Sequence, residues 1–290
     1  MPVVEVWPCR TSKISVDGGG LRPSRRAVPP LRLAASALGE AEPAVGEERF
    51  VAVGAMSAIQ PTVSDVRSHS SLSIIAEEIS ACRACPRLVA WREQVAIDKR
   101  ASYADWDYWG RGVPGFGDPH AGVLVVGLAP AAHGGNRTGR VFTGDRSGDW
   151  LYRAMHRAGL ASQPTSVSRD DGLTLTGAYV SAAVRCAPPA NKPNPDERDR
   201  CRPYLEREMA ALSDVRAVVC LGSFAYEAFA SIVGLRPRPK FGHGVEVPLA
   251  DGRTIVCSFH PSQQNTFTGR LTEPMLDAVF VRAAAIAANR

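Results

Sequence analysis

The chain has 290 residues, is 45% hydrophobic and 22% charged, and carries a net charge of +5 at neutral pH. These values are ordinary for a globular protein of one large or two small domains, and the basic balance is compatible with a polyanionic partner. The sequence contains no stretch of roughly 18 consecutive apolar residues and no signal-peptide pattern at its start, so it predicts neither a membrane span nor a secreted protein.

Residues 1–70 differ in composition from the rest of the chain. They are rich in Gly, Pro, Ser, Ala and Arg, with a glycine run at 18–20 and a proline pair at 29–30. Neither helical nor strand periodicity is sustained there, so we expect a disordered N-terminal extension. A single folded domain is expected over residues 71–290.

A helical pattern opens this domain. Leu72, Ile75, Ile79 and Cys82 recur at spacings of three and four, which is the spacing of one face of a helix. The helix is followed by the C-x-x-C motif of Cys82 and Cys85 and then by an aromatic, glycine-containing loop over 103–117.

Four short apolar runs then alternate with helical patterns. The runs span 123–128, 178–184, 217–222 and 254–259, and the helical patterns span 147–159, 196–212, 223–233 and 273–288. Runs of this length without polar alternation are typical of strands buried on both faces. The alternation predicts an α/β fold, a three-layer sandwich with a parallel sheet between helices, and Ser147 is the expected N-cap of the helix at 147–159.

Ligand sites in such sheets lie beyond the carboxyl ends of the strands. The first strand is followed by a glycine-rich loop ending at Asp145, which either caps the next helix or serves chemistry. The fourth strand is followed by His260 and a loop of amides and hydroxyls that ends with Arg270 and Leu271. Such a loop can contact a nucleic-acid backbone and push a side chain into a base stack.

The cysteines predict a further site. Seven cysteines with uneven spacing do not suit a secreted disulfide framework and indicate reduced thiols in a cytoplasmic protein. Cys82, Cys85, Cys186 and Cys201 can form a four-thiolate site, which zinc and a [4Fe–4S] cluster would both accept. Unpaired buried cysteines are the alternative, and we prefer that interpretation for Cys220 and Cys257, which lie in predicted strands.

Three features together resemble the family 5 (type b) uracil-DNA glycosylases. They are the segment GLAPAAHGGNRTGRVFTGDRSG, the spacing of the four cysteines, and the segment HPSQQNTFTGRLT. The resemblance runs from about Ser73 to the C-terminus. It implies a single α/β domain with a central four-stranded parallel sheet, a [4Fe–4S] cluster, and removal of uracil and other deaminated bases, such as hypoxanthine, from DNA.

The resemblance also implies residue roles. Asp145, His260 and Asn191 are the expected catalytic residues, and Phe142 is expected to stack on the flipped base. The other residues expected in the base pocket are Gly127, Ala129, Ala132 and His133. The residues expected to contact DNA are Arg137, Arg140, Gln264, Asn265, Arg270 and Leu271. The expected ligands of the cluster are Cys82, Cys85, Cys186 and Cys201. The partner is then DNA that contains uracil or another deaminated base, with no membrane involved, and the protein is a monomer.

Two other functions suit parts of the sequence. A nucleotide-binding or nucleotide-hydrolysing enzyme would use the glycine-rich loop for phosphates, but neither G-x-x-x-x-G-K-[ST] nor G-x-G-x-x-G follows a strand. An iron–sulfur electron carrier or a zinc-stabilised DNA-binding module would use the cysteines, but would not need the loops of Asp145 and His260. A glycosylase leaves abasic DNA, whereas a binding module leaves DNA intact.

Overall fold

A computed structural model of the chain describes the backbone of residues 63–289 and the side chains of residues 71–289. The N-terminal extension was predicted to be disordered, and its residues up to 62 lie outside the described part of the chain. Its last residues, 63–70, are helical and not disordered. The α-helices are α1 (Val63–Ala81), α2 (Pro86–Asp98), α3 (Gly135–Thr138), α4 (Arg146–Arg157), α5 (Pro195–Ala211), α6 (Ser223–Ile232), α7 (Gln263–Phe267) and α8 (Glu273–Ala288). No helix among the described residues is both long enough and apolar enough to cross a membrane.

The strands form one mixed sheet. They are β1 (Phe116–Gly117), β2 (Val123–Gly127), β3 (Ala178–Ala182), β4 (Ala217–Leu221), β5 (Glu246–Pro248) and β6 (Thr254–Ser258), in the spatial order β1-β3-β2-β4-β6-β5. The four predicted strands are the four central ones, and they pair in parallel. The α/β class is confirmed, whereas the predicted count of four strands is wrong because β1 and β5 add antiparallel edges. Two or three residues are too few to show a strand period in sequence.

Helices cover both faces of the sheet. Along β2, Val123 and Val125 face a core that includes residues of α4 and α8, whereas Leu124 and Val126 face a core that includes residues of α5 and α6. Successive residues of a strand point to opposite faces, so a continuous apolar run serves two cores at once. This is the predicted three-layer arrangement.

The register of the parallel strands places the functional loops at one edge. Gly127 at the end of β2 pairs with Ala182 at the end of β3, and Leu221 at the end of β4 pairs with Ser258 at the end of β6. The loops that follow these strands therefore leave the sheet together. The segments that carry Asp145 and His260 both begin at this edge.

Candidate active site

Asp145 lies at the start of α4 and is its N-cap, a position for which the sequence favours Ser147. Its Oδ1 accepts a hydrogen bond from the Gly148 backbone N–H at 3.0 Å. The carboxyl group rests against Gly134, where an added Cβ would lie 2.0 Å from Oδ2, so only glycine leaves room for this carboxylate. Burial raises the pKa of Asp145, although backbone N–H groups of α4 partly oppose the change. The side chain therefore caps the helix and also presents a poorly hydrated carboxylate.

Phe142 occupies a strained position above the end of β2. Its φ of 51° lies in the left-handed region, which is unusual for a bulky side chain and costs on the order of 1–3 kcal/mol. A Cβ at Gly127 would lie 2.6 Å from the phenyl Cε2 and Cζ atoms, so the ring covers this glycine. Backbone strain of this kind concentrates at ligand sites, where the surrounding structure holds it in place.

His260 lies beside Phe142, as its place after β6 predicts. The two ring centroids are 5.8 Å apart and the rings are inclined by 32°. Burial lowers the pKa of His260 to about 4, so the imidazole is neutral at physiological pH. The Asn265 side-chain amide donates to the His260 carbonyl oxygen at 2.8 Å, which fixes the loop that carries the histidine. Asn265 is an expected DNA contact, but its amide N–H donates this hydrogen bond within the protein.

The other expected pocket residues lie in different surroundings. Asn191 is exposed in a short 3₁₀ turn with a φ of 55°, and no described contact joins it to Asp145 or His260. The Nδ1 atom of His133 lies 3.1 Å from the hydroxyl oxygen of Tyr108, and burial lowers the pKa of this histidine. Ala129 packs against the cysteines, and Ala132 is partly buried.

Two arginines expected to contact DNA are buried instead. Arg137 donates to the His133 and Gly144 carbonyl oxygens and lies over the ring of Trp106 at 4.1 Å from its centroid. Arg140 forms an ion pair with Asp171 at 2.7 Å. Both guanidinium groups hold the loop between β2 and α4 together and do not face a phosphate backbone.

The loop after β6 buries one of its expected DNA contacts. Leu271 is fully buried in the core, where reaching DNA would remove it from its apolar neighbours. Gln264 and Arg270 are exposed as expected, and Arg270 lies over the Phe259 ring at 4.5 Å. Phe267 of α7 is 66% exposed, with the Arg146 guanidinium 4.2 Å from its ring centroid. Sequence reasoning missed Phe267; its signal was an aromatic residue among polar ones in a strand-end loop.

The four predicted cluster ligands lie close together. Cys85, Cys186 and Cys201 are buried in one apolar cluster with Leu88, and Cys82 is partly buried. Burial raises the pKa of Cys186, and the nearby Cys82 and Cys85 thiols raise it further. Cys201 reaches a pKa of about 12, mainly through burial. Because each of these thiols changes the pKa of another, they lie close to one another.

Hydrogen-bond donors are directed at these sulfurs. Arg92 Nη1 donates to Cys186 Sγ at 2.8 Å, and the Arg185 backbone N–H donates to Cys201 Sγ at 3.3 Å. Cys85 is the N-cap of α2, and burial raises the pKa of its thiol. Within the described residues, no group of three or more His, Cys, Asp and Glu side chains is arranged to hold a metal ion. Cys220 and Cys257 are buried register partners in β4 and β6, as the alternative interpretation predicts.

Comparison with known proteins places this fold in a family. The family model described as the uracil DNA glycosylase superfamily matches residues 114–283. The type-5 uracil-DNA glycosylase of Mycobacterium bovis is 55% identical over 212 residues, which cover 72% of this chain and 79% of the relative. The chain belongs to the type-5 uracil-DNA glycosylase family.

Distant organisms carry similar members of this family. The type-5 uracil-DNA glycosylase of Thermus thermophilus is 52% identical over 212 residues, 73% of this chain and 96% of the relative. That of Pyrobaculum aerophilum is 50% identical over 204 residues, 70% of this chain and 88% of the relative. The expected family is confirmed, and with it the enzyme class, a hydrolase that acts as a DNA N-glycosylase.

Proposed function

We propose that this type-5 family member hydrolyses the N-glycosidic bond of deoxyuridine in DNA and leaves an abasic site. The observation that carries the proposal is the grouping of Phe142 and His260 at one edge of the sheet, with Asp145 on the loop that also carries Phe142. An aromatic ring, a neutral imidazole and a poorly hydrated carboxylate are the groups that such a reaction needs. We place the whole activity in residues 71–290 of a monomer, because one chain carries every group.

Phe142 is the proposed platform for the target base. A base inside a duplex is out of reach, so it must leave the stack at a cost of a few kcal/mol. Stacking on an aromatic ring returns roughly 1–3 kcal/mol per base. Because the strained backbone and the close approach of Gly127 already hold the ring in place, little conformational freedom is left to lose on binding.

His260 is the proposed donor to the base. As the bond to the sugar breaks, the base gains negative charge on its ring and carbonyl oxygens. With a pKa of about 4, the imidazole is neutral at pH 7 and stabilises this charge as a fixed N–H dipole without transferring a proton. We assign Asn191 as a second donor, since its exposed amide lies in the loop after β3 at the same edge of the sheet.

Asp145 is the proposed partner of the sugar. The transition state resembles an oxocarbenium ion, and the carboxylate stabilises its positive charge and orients the attacking water. Burial, which raises the pKa of this group, means that the carboxylate is incompletely hydrated, so its attraction to the sugar cation is strong. The water oxygen bonds to the sugar carbon as the bond to the base breaks, and the base leaves with the bonding electron pair. The water loses one proton and the departing base takes up one proton from solvent, so the net change is addition of one water molecule.

The pocket also suits bases other than uracil. Ala182, the register partner of Gly127, is buried and presents no hydrogen-bonding group to a base edge. Leu128 and Ala129, which follow Gly127, are also apolar. A site that reads few polar groups of its ligand rejects few analogues. We therefore propose that hypoxanthine and other deaminated bases are substrates too.

DNA contacts are proposed for the exposed side chains at the ends of β2 and β6. Arg146, Arg270 and Gln264 are exposed there and can meet phosphates. Phe267 is exposed on a helix that Asn265 ties to the His260 carbonyl oxygen, and we assign it to fill the gap left by the flipped base. Its contact with Arg146 joins the two strand-end loops over the pocket.

The four cysteines are the proposed ligands of a [4Fe–4S] cluster. The donor set fits: the thiols are mutually close, and the buried Arg92 guanidinium supplies positive charge and an N–H donor to sulfur. Each thiolate of such a cluster binds a different iron atom, so the four need not converge on one ion. The bound cluster would link the segment before α2, the loop after β3 and α5. A reducing, cytoplasmic compartment keeps such thiols available.

A cleavage assay tests the proposal. A labelled oligonucleotide with one uracil opposite guanine is incubated with the protein and treated with alkali, which breaks the strand at an abasic site. We expect a break at the uracil with the wild type and almost none with Asp145→Asn. Intact strands with uracil, hypoxanthine and ethenocytosine substrates would reject the proposed activity.

A further inference from the structure

A cleft outside the base pocket separates α1 and α2 from the loop that precedes β1. Its volume is about 540 Å³, and the residues that matter are Arg83, Arg92, Trp109, Arg111 and Arg169. None of these residues takes part in the reaction proposed above. Four guanidinium groups, two of them lying over the indole ring, have the chemistry of a site for an anionic ligand.

The cleft carries excess positive charge. Its acidic residues are Glu77 and Glu93, and Glu93 accepts two hydrogen bonds from Arg83. Arg111 and Arg169 are exposed and form no ion pair with any residue that the structure describes. These two cations can therefore bind an anion without first breaking a salt bridge.

Trp109 is held in place by the protein. Its Nε1–H donates to the Gly112 carbonyl oxygen at 2.9 Å, and an added Cβ at Gly139 would lie 2.9 Å from the indole Cδ2. The guanidinium carbons of Arg111 and Arg169 lie 5.6 and 4.8 Å from the indole centroid. The indole ring thus holds two guanidinium groups, which have no ion-pair partner among the described residues, beside the cleft, where they can bind a phosphate.

Arg92 leaves one donor unused. Its side chain is 1% exposed, and its two terminal nitrogens donate to the Cys82 carbonyl oxygen and to Cys186 Sγ. Its Nε–H has no hydrogen-bond partner among the described residues, although Arg92 lines the cleft. Buried donors are rarely left unsatisfied, so this group points to an acceptor supplied by a ligand.

We propose that this cleft is a second nucleotide site that binds a segment of the DNA strand away from the flipped base. The Trp109 backbone N–H donates to the Arg137 carbonyl oxygen, which attaches the cleft to the loop that carries Asp145. We infer that a strand bound in the base pocket continues along the protein, with a phosphate on Arg111 and Arg169. This assignment rests on the proposed function for the identity of the strand.

The test measures binding and not excision, so its failure is separate from failure of the cleavage assay. Fluorescence anisotropy follows a labelled, uracil-free single-stranded oligonucleotide at several salt concentrations. For the double variant Arg111→Ala/Arg169→Ala we expect about tenfold weaker binding. The slope of log K against log salt should fall by about 0.7, the contribution of the one phosphate that is no longer neutralised.

Arg216→Ala is the matched control. This arginine is also exposed, but it directly precedes β4, at the end of the sheet opposite the functional loops. Binding by the control should equal that of the wild type. Equal slopes for the double variant and the wild type, or equal losses in the double variant and the control, would overturn the proposal.

A competition experiment distinguishes a DNA strand from a free nucleotide. Deoxythymidine monophosphate is titrated against the labelled oligonucleotide bound to the wild type. A strand site predicts that unlabelled oligonucleotide displaces the label at concentrations far below those of the mononucleotide. Displacement by the mononucleotide at similar concentrations, absent in the double variant, would instead assign the cleft to free nucleotides and reject the strand site.

Discussion

The proposed base pocket and the four cysteines share one edge of the sheet through the loop after β3, which carries both Asn191 and Cys186, yet their polar groups differ in how well they are paired. In the pocket, burial displaces the pKa values of Asp145 and His260, and Phe142 keeps a strained backbone. At the cysteines, donors from Arg92 and Arg185 already point at the sulfurs. A site for turnover leaves poorly satisfied groups for its substrate, whereas a site for a permanent group surrounds its ligands with partners. Substitutions in the pocket or among the cysteines, with activity and stability measured for each variant, therefore test this contrast.

The largest expected effect comes from Asp145→Asn in the pocket. Asparagine caps a helix about as well as aspartate, so α4 should stay intact. The sugar cation loses its carboxylate, and we expect kcat to fall by about 10²–10³-fold. Single-turnover excision, DNA binding and the unfolding temperature are measured together. A loss of DNA binding as large as the loss of kcat would contradict a transition-state role.

The matching change at the cluster is Cys201→Ala. If the wild type carries the proposed [4Fe–4S] cluster and its brown colour, we expect this variant to lose both iron and colour. Its free energy of unfolding should fall by more than about 4 kcal/mol, since losing a metal site is among the most destabilising changes. Cys220→Ala is the control, because it removes an equally buried thiol that lies outside the cluster. It should keep its iron and lose only about 1–2 kcal/mol. Full iron content in Cys201→Ala, measured by metal analysis, would remove this residue from the ligand set.

A smaller effect links the pocket to stability. The pKa of His260 is lowered to about 4 by burial, whereas an unfolded histidine titrates near 6.5. The unfolded chain therefore binds more protons between these values, and the free energy of unfolding falls as the pH drops through this window. Between about pH 7 and pH 5 we expect this group to contribute a loss of about 2 kcal/mol. Urea unfolding of His260→Gln should lack this loss of about 2 kcal/mol between pH 7 and pH 5. If the variant and the wild type show the same pH dependence, the pKa of His260 is not lowered in the folded protein.

The smallest effect is expected at the rim of the pocket. Phe267→Ala removes an exposed side chain, so stability and iron content should not change. On duplex substrate we expect kcat/KM to fall by about five- to tenfold, because an inserted ring offsets part of the cost of unstacking. On single-stranded substrate, where no partner strand holds the stack, the fall should be slight. Leu271→Ala is the contrasting variant: it should lower stability, and a specific loss on duplex DNA would assign the stack-filling role to Leu271 and not to Phe267.

Much of the fold was readable from sequence. The four buried runs predicted the central strands within two residues at each end, because strands buried on both faces are apolar throughout. The helices α4, α5, α6 and α8 were equally clear, since an apolar stripe recurs at helical spacing, whereas α2, α3 and α7 were not predicted and α1 begins nine residues before its predicted start at Leu72. The edge strands β1 and β5 were not predictable, because pairing of so few residues depends on what lies beside them.

The candidate site was predictable in its types of residue but not in their use. Strand order placed Asp145 and His260 at one edge, and the family resemblance named the cysteines. Which arginines face solvent was decided only by packing: Arg137 and Arg140 stand in a basic, glycine-rich loop yet turn inward to backbone oxygens and to Asp171. Local sequence does not encode that choice, because a long side chain reaches either solvent or the interior from the same backbone position.

By itself, then, the sequence determined the α/β class, the central strands, the cysteine set and the loops that carry chemistry, since each depends on periodicity or on residue type at a strand end. Only the tertiary structure decided that Leu271 is core and Phe267 is surface, that Asp145 caps α4, and that Arg92 reaches Cys186. These outcomes depend on contacts between segments far apart in the chain. Burial, and the pKa values that follow from it, exist only after those segments have packed together.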